Sequence, residues 1–141
     1  MNSCFYCEEN EKRNSIMIKI AELQWSTVFL NRNQILPGRC IVAYKEHKTE
    51  YFQLNSEANA GFFAEVSLTA QAIKNIFNPD KINYATYGDL VPHVHVHLVP
   101  KYKDKIFWGG PFQDEPKETL SDSRYNDIIK KIKAELDKIA K

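Results

Sequence analysis

The stretch 93-HVHVHLVP-100 sets three of the chain's four histidines at alternate positions, with valine between them. On an extended strand, side chains at i, i+2 and i+4 leave one face about 6.5–7 Å apart. His93, His95 and His97 therefore line one face, while Val94, Val96 and Leu98 point to the other. The spacing predicts a strand with an apolar layer behind it and a row of imidazoles in front.

Working outward, β-branched and aromatic runs bounded by short turns predict further strands at 16–23, 25–30, 39–44 and 82–87, with the histidine strand at 92–99. Pro37-Gly38 marks a hairpin-like turn, so its neighbours should run antiparallel. From an N-cap at Asn55 or Ser56, the residues Phe62, Phe63, Val66, Ala70, Ile73 and Phe77 recur at helical spacing, and Pro79 follows the end. This long helix should cover the sheet. A second helix, 121–141, starts at Ser121 and carries Ile128, Ile129, Ile132, Leu136 and Ile139 on one face. Asp127, Glu135 and Asp137 interrupt its basic face, which favours packing on the domain over lying on a membrane.

The 141 residues, 43% of them hydrophobic, suffice for one domain spanning 1–141. Nineteen basic and eighteen acidic residues leave a net charge of +1, so no overall field recruits nucleic acid or an acidic membrane. No apolar run reaches the roughly 20 residues that span a bilayer, and MNSCFYCEEN lacks the regions of a signal peptide. The expected location is the cytoplasm, where three cysteines do not make a disulfide framework.

Three chemistries suit alternating imidazoles. They can decorate a solvated sheet face, although protonation near pH ~6.5 would then set like charges side by side. They can hold a metal, but residues 93–100 contain no Asp or Glu to complete a dinuclear hydrolase site. Or a neutral ring attacks phosphorus and forms a phospho-histidine, its other nitrogen fixed by a hydrogen bond. The third accounts for the triplet best.

HVHVHLV resembles the signature of the histidine triad (HIT) family, in which three histidines alternate with apolar residues. VFLNRNQILPGRCIVAYKEH and HLVPKYKD resemble the segments that accompany it, so the likeness covers about residues 4–108. The resemblance implies an α+β fold: an antiparallel sheet of about five strands with one long central helix and a C-terminal helix. It also implies a homodimer that hydrolyses or transfers nucleoside monophosphates, from purine nucleotide substrates such as dinucleoside polyphosphates or nucleoside phosphoramidates. His95 would be the nucleophile at the α-phosphate. His97 would contact a phosphate oxygen and assist proton transfer, and His93 would support the site or bind a metal.

By the same resemblance Asn31 would bind the ribose hydroxyls, and Phe29, two residues earlier on the same face, would wall the base. The sequence departs from the family at Asp89 and Leu90, where many relatives carry Gln and then Ser or Thr, so a hydroxyl near the phosphate is missing and an anion is added. Read from the residues alone, Trp108 or Phe112 would cover substrate, meet another subunit or simply anchor a surface loop, and Lys101, Lys103 and Lys105 would reach distal phosphates or only solubilise an edge. Cys4 and Cys7 have zinc-knuckle spacing but are half a tetrahedral site. HIT proteins with this CxxC imply His47 and His93 as the other ligands of a structural zinc. Cys40 should pack in the core.

Overall fold

The computed structural model describes residues 4–140. A five-stranded sheet is ordered β1-β2-β3-β5-β4, with every neighbouring pair antiparallel. The strands are β1 Met17–Glu22, β2 Ser26–Asn31, β3 Cys40–Tyr44, β4 Lys81–Ala85 and β5 His95–Lys101. The α+β class, the five antiparallel strands and the two long helices agree with the sequence.

Alternation divides the sheet into two unlike faces. Val28, Leu30, Cys40, Val42, Val94, Val96 and Leu98 pack with Phe62, Val66, Ala70 and Ile73 of helix α2 (Ser56–Phe77). Cys40 is fully buried there. The Asn55 side chain accepts from the Ala58 N–H at 2.8 Å to open α2. Asn78, in the left-handed region at φ 49°, closes it just before Pro79. Phe63 leaves the expected stripe and is 39% exposed, because one residue past Phe62 lies 100° around the helix.

Helix α3 (Asp122–Ile139) starts at Ser121 and packs on α2 and β1, burying Tyr125, Ile132 and Leu136. Residue 141, the last of the expected helix, lies outside the described residues. Among the described residues no helix is long and apolar enough to cross a membrane.

The opposite face carries a smaller cluster of Phe5, Met17, Phe29, Ile41 and Ala43 beneath the N-terminal segment. A short helix, α1 (Glu11–Ile16), lies in that segment, capped by Asn10. Its six residues bury no side chain, so no apolar period announced it.

The histidine strand is displaced from 92–99 to His95–Lys101. His93 precedes the ladder, and its N–H bonds to the Val91 carbonyl at 2.8 Å. Pro100 is tolerated inside the strand for a geometric reason. The Lys101 carbonyl accepts from the Asp80 N–H, so by alternation Pro100 turns its nitrogen toward β3. That strand reaches no further than Cys40, opposite Leu98, and no ladder bond is lost.

Gly38 makes the turn into β3 at φ +95°, and a Cβ there would come within 2.8 Å of the Phe77 ring. Gly38→Ala should therefore lower stability by about 1–3 kcal/mol, combining strain with overpacking. Urea unfolding should show this as a lower midpoint at unchanged slope.

Candidate functional site

Two backbone carbonyls decide which nitrogen each of the first two histidines presents. His93 Nε2 lies 2.7 Å from the Tyr44 carbonyl oxygen, and His95 Nδ1 lies 2.5 Å from the carbonyl oxygen of His93. A carbonyl only accepts, so the ring nitrogen facing it carries the hydrogen. In the neutral rings this leaves lone pairs on His93 Nδ1 and His95 Nε2. Burial lowers the pKa of both rings, opposed by these same hydrogen bonds. Neutral imidazoles at neutral pH follow. The strand carbonyl of His95 is itself held by Thr86 Oγ1 at 2.8 Å and Tyr51 Oη at 3.3 Å.

The lone pair of His93 faces three other ligand atoms. Its Nδ1 is 3.4 Å from Cys4 Sγ, 3.6 Å from Cys7 Sγ and 3.2 Å from His47 Nδ1, which is 3.2 Å from Cys7 Sγ. All four ligand atoms lie within 4.8 Å of one another. A tetrahedral metal with bonds of about 2.0–2.3 Å has ligand–ligand edges of about 3.3–3.8 Å, close to these separations. The turn that gathers the sulfurs bonds the Cys7 and Glu8 N–H groups to the Cys4 carbonyl.

Desolvation, Cys4 and Glu8 push the Cys7 thiol up to about 11. A divalent ion would reverse this by stabilising the thiolates. Cys4, Cys7, His47 and His93 can thus hold a metal, although they come from three separate parts of the chain.

His95 and His97 line a cavity of about 700 Å³ on the same sheet face, within the range that holds small ligands. His95 is only 3% exposed, with the Tyr6 ring stacked on it at 4.9 Å. Asn31, Asp89 and Leu90 also line the cavity. The Asn31 Oδ1 accepts from the Asn33 N–H at 2.8 Å, which fixes the amide. Phe29 is buried one layer back, against Tyr6, so the apolar wall at the cavity itself comes from Phe5, Tyr6, Ile16 and Met17.

Several expected contacts go elsewhere. Lys101 turns away to donate to the carbonyls of Phe107 at 2.7 Å and Gly110 at 2.5 Å, so its charge secures that loop. Lys103 and Lys105 are exposed outside the cavity, and Lys105 Nζ lies over the Tyr102 ring. Trp108 borders a separate depression with Lys81 and Lys101, whereas Phe112 reaches His97 at 6.0 Å between ring centroids.

Tyr6 and Arg39 were not identified in the sequence. Tyr6 sits between the two cysteines, so joining CxxC to His93 carries it to the triad by connectivity alone. Arg39 stands at the start of a strand in LPGR, where a surface cation is the ordinary reading. In the structure it is 3% exposed and lines the cavity beside His97.

His97 is the most perturbed of the triad. Burial first, then His95 and Arg39, lower its pKa to about 3, against the opposing pull of Asp114. A histidine whose folded pKa is depressed contributes stability that is present above its unfolded value, near pH ~6.5, and lost as pH falls toward the folded one. Stability should therefore decline from about pH 6.5 downward, and an NMR titration should find the His97 ring still neutral at about pH 5. A His97 midpoint near the unfolded value would contradict this electrostatic account.

Comparison with known proteins places this geometry. The family model described as "HIT domain" matches residues 12–104. The adenosine 5'-monophosphoramidase hnt1 of Schizosaccharomyces pombe is 30% identical over 115 residues, 81% of this chain and 86% of its own. A bis(5'-adenosyl)-triphosphatase of Dictyostelium discoideum is 31% identical over 100 residues, 64% of this chain and 63% of its own. The crystal structure of histidine triad protein blr8122 from Bradyrhizobium japonicum superposes with TM-score 0.83 at 21% identity, covering 92% of this chain and 97% of the other. With a family match across most of its length and the alternating histidines on β5 and the turn before it, the chain belongs to the HIT family.

Proposed function

We propose that this protein is a nucleotide hydrolase or transferase that cleaves at the α-phosphate of a dinucleoside polyphosphate through a covalent nucleotidyl-histidine. The observation that carries the reading is the His95 tautomer: Nδ1 is committed to the His93 carbonyl at 2.5 Å, and the ring borders the 700 Å³ cavity. The Nε2 lone pair forms the nitrogen–phosphorus bond as the bond from phosphorus to the leaving-group oxygen breaks. Water then cleaves the adduct, releasing the nucleoside monophosphate and restoring the ring.

His97 enters neutral, with a pKa near 3, which supports a hydrogen bond to a phosphate oxygen more than delivery of a proton. A phosphate leaving group departs as an anion and needs little protonation, whereas an amine must be protonated to leave. Leu90 offers no hydroxyl to help. Both points favour anhydrides over phosphoramidates. The 30% identity to a phosphoramidase supports nucleoside phosphoramidates as a second substrate class. Asn31 supplies the ribose contact, and the cavity takes a purine nucleotide against its apolar wall.

The metal at Cys4, Cys7, His47 and His93 is proposed to be zinc. Bound there, it supplies structural cross-linking and thiolate charge balance, since four protein ligands leave no open position. His93 then works by fixing the segment whose carbonyl orients His95. The same reading places the protein in the cytoplasm as a homodimer. The exposed edge strand β4, with Tyr84 57% exposed, supports a subunit contact.

One observation favours a different outcome, nucleotide binding with little turnover: Tyr6 lies directly on His95, which is 3% exposed. Incubation with diadenosine triphosphate separates the two. The wild type should release AMP and yield an acid-labile nucleotide adduct, and His95→Ala should lose at least about a thousandfold in rate with no adduct. Binding without an adduct in the wild type would reject catalysis. Separately, Cys4→Ser with Cys7→Ser should abolish zinc in metal analysis and lower the unfolding temperature. Unchanged zinc content would reject this site.

A further inference from the structure

Among the described residues, two buried side-chain polar atoms face no partner, Arg39 Nε and His97 Nδ1, and both residues line the same cavity. Burying a guanidinium is costly unless its donors are matched. The match is incomplete. Arg39 Nη2 pairs with Asp114 Oδ1 at 3.2 Å, its carbon lies 4.9 Å over the Phe112 ring, and Nε faces no acceptor.

The two members of that ion pair are held very differently. The Arg39 side chain is 4% exposed and that of Asp114 is 81% exposed. Gln34 grips the backbone at Arg39 from both sides, accepting from the Gly38 N–H at 2.9 Å and donating to the Arg39 carbonyl at 3.1 Å. The cation is thus fixed by the sheet, while its partner lies on an exposed loop and forms a weak, replaceable contact.

We propose that Arg39 is a specificity-determining anchor that binds a phosphate oxygen of the nucleotide through its unmatched donors, with that anion displacing Asp114. A guanidinium fork suits phosphate because Nε and Nη can donate to it together. The stacked Phe112 ring keeps the fork planar and in place, and Asp114 neutralises the charge while the cavity is empty. The site then selects nucleotides over nucleosides. This rests on the nucleotide reading above and extends it to a residue outside the histidine row.

The test compares AMP with adenosine by titration calorimetry at low salt. The wild type should prefer AMP. Arg39→Gln should weaken AMP binding about 10–100-fold while leaving adenosine within about twofold, as expected for one charge-assisted contact. Arg39→Lys should recover only part of the loss, since an ammonium lacks the fork. Asp114→Asn, at an exposed position, should tighten AMP by removing the competing carboxylate. Wild-type preference persisting in Arg39→Gln would overturn the proposal. So would an equal loss of AMP and adenosine, which marks a structural role, or an Asp114→Asn variant that binds AMP no better. If Arg39→Gln does not fold, the Asp114→Asn result decides alone. Wild type that binds neither ligand would instead reject the nucleotide reading itself, and the anchor with it.

Discussion

The hydrogen bond from His93 Nε2 to the Tyr44 carbonyl holds two halves of the molecule in register. On one side it turns the lone pair of Nδ1 toward Cys4, Cys7 and His47. On the other it fixes the backbone whose carbonyl receives the His95 Nδ1 hydrogen. The tautomers of two rings therefore depend on consecutive carbonyl contacts, and neither can change alone. Sheet pairing makes this reliable, because β3 and β5 pair Ala43 with His95 and Ile41 with His97, and Ala43, Ile41 and His95 are buried. A one-residue slip would send the imidazoles into the α2 core and the valines into the cavity, burying polar groups without partners.

The two sheet faces are stabilised in different ways. The α2 face has long helices with caps at both ends and a continuous apolar contact. The triad face is covered by pieces: the segment before α1, the turn after β4 and the loop carrying Phe112. Residues 4–10 have no helix or strand to hold them, yet Phe5 is buried and Tyr6 stacks on His95. These two aromatic rings lie between the cysteines of the ligand cluster, and the Phe5 carbonyl also accepts from Arg13. The cover of the cavity is thus tied to the ligand cluster, and the two features of the sequence that looked separate, CFYC and HVHVH, form one structure.

This explains what could be read in advance. Alternation on β5 was legible because its two faces meet opposite environments, and α2 was legible because its period and caps agree. Asn31, His95 and His97, singled out in the sequence, line one cavity, and Cys4, Cys7, His47 and His93 gather into one cluster. Helix α1 was missed because its stability comes from Asn10 and from its neighbours rather than from an apolar stripe. The displacement of β5 toward Lys101 followed from where β3 ends, a tertiary fact that no property of Pro100 announces. Phe29 shares a face with Asn31 as expected, but alternation gives direction and not depth, and Tyr6 lies between it and the cavity region. Arg39 was illegible for a related reason, since burial of a cation depends on the rings and carboxylates that other segments bring.

Charge in the cavity follows a pattern that the net charge of +1 conceals. Arg39 is anchored in the sheet and nearly buried, whereas Asp89 and Asp114 are exposed on loops. On the proposal above, one fixed cation with exposed carboxylates around it forms a site that would attract an anion able to push those carboxylates aside. In this arrangement the buried guanidinium is preorganised, and only the exposed carboxylates would have to move when substrate arrives. It also accounts for Asp89, which would repel a polyphosphate if it were held rigidly against the triad. On a loop open to water its field is screened and its side chain can swing away, so the departure from the family's usual polar pair is compatible with an anionic ligand. The neutral state of His97 belongs to the same arrangement, because burial first, and then the neighbouring His95 and Arg39, disfavour its charged form.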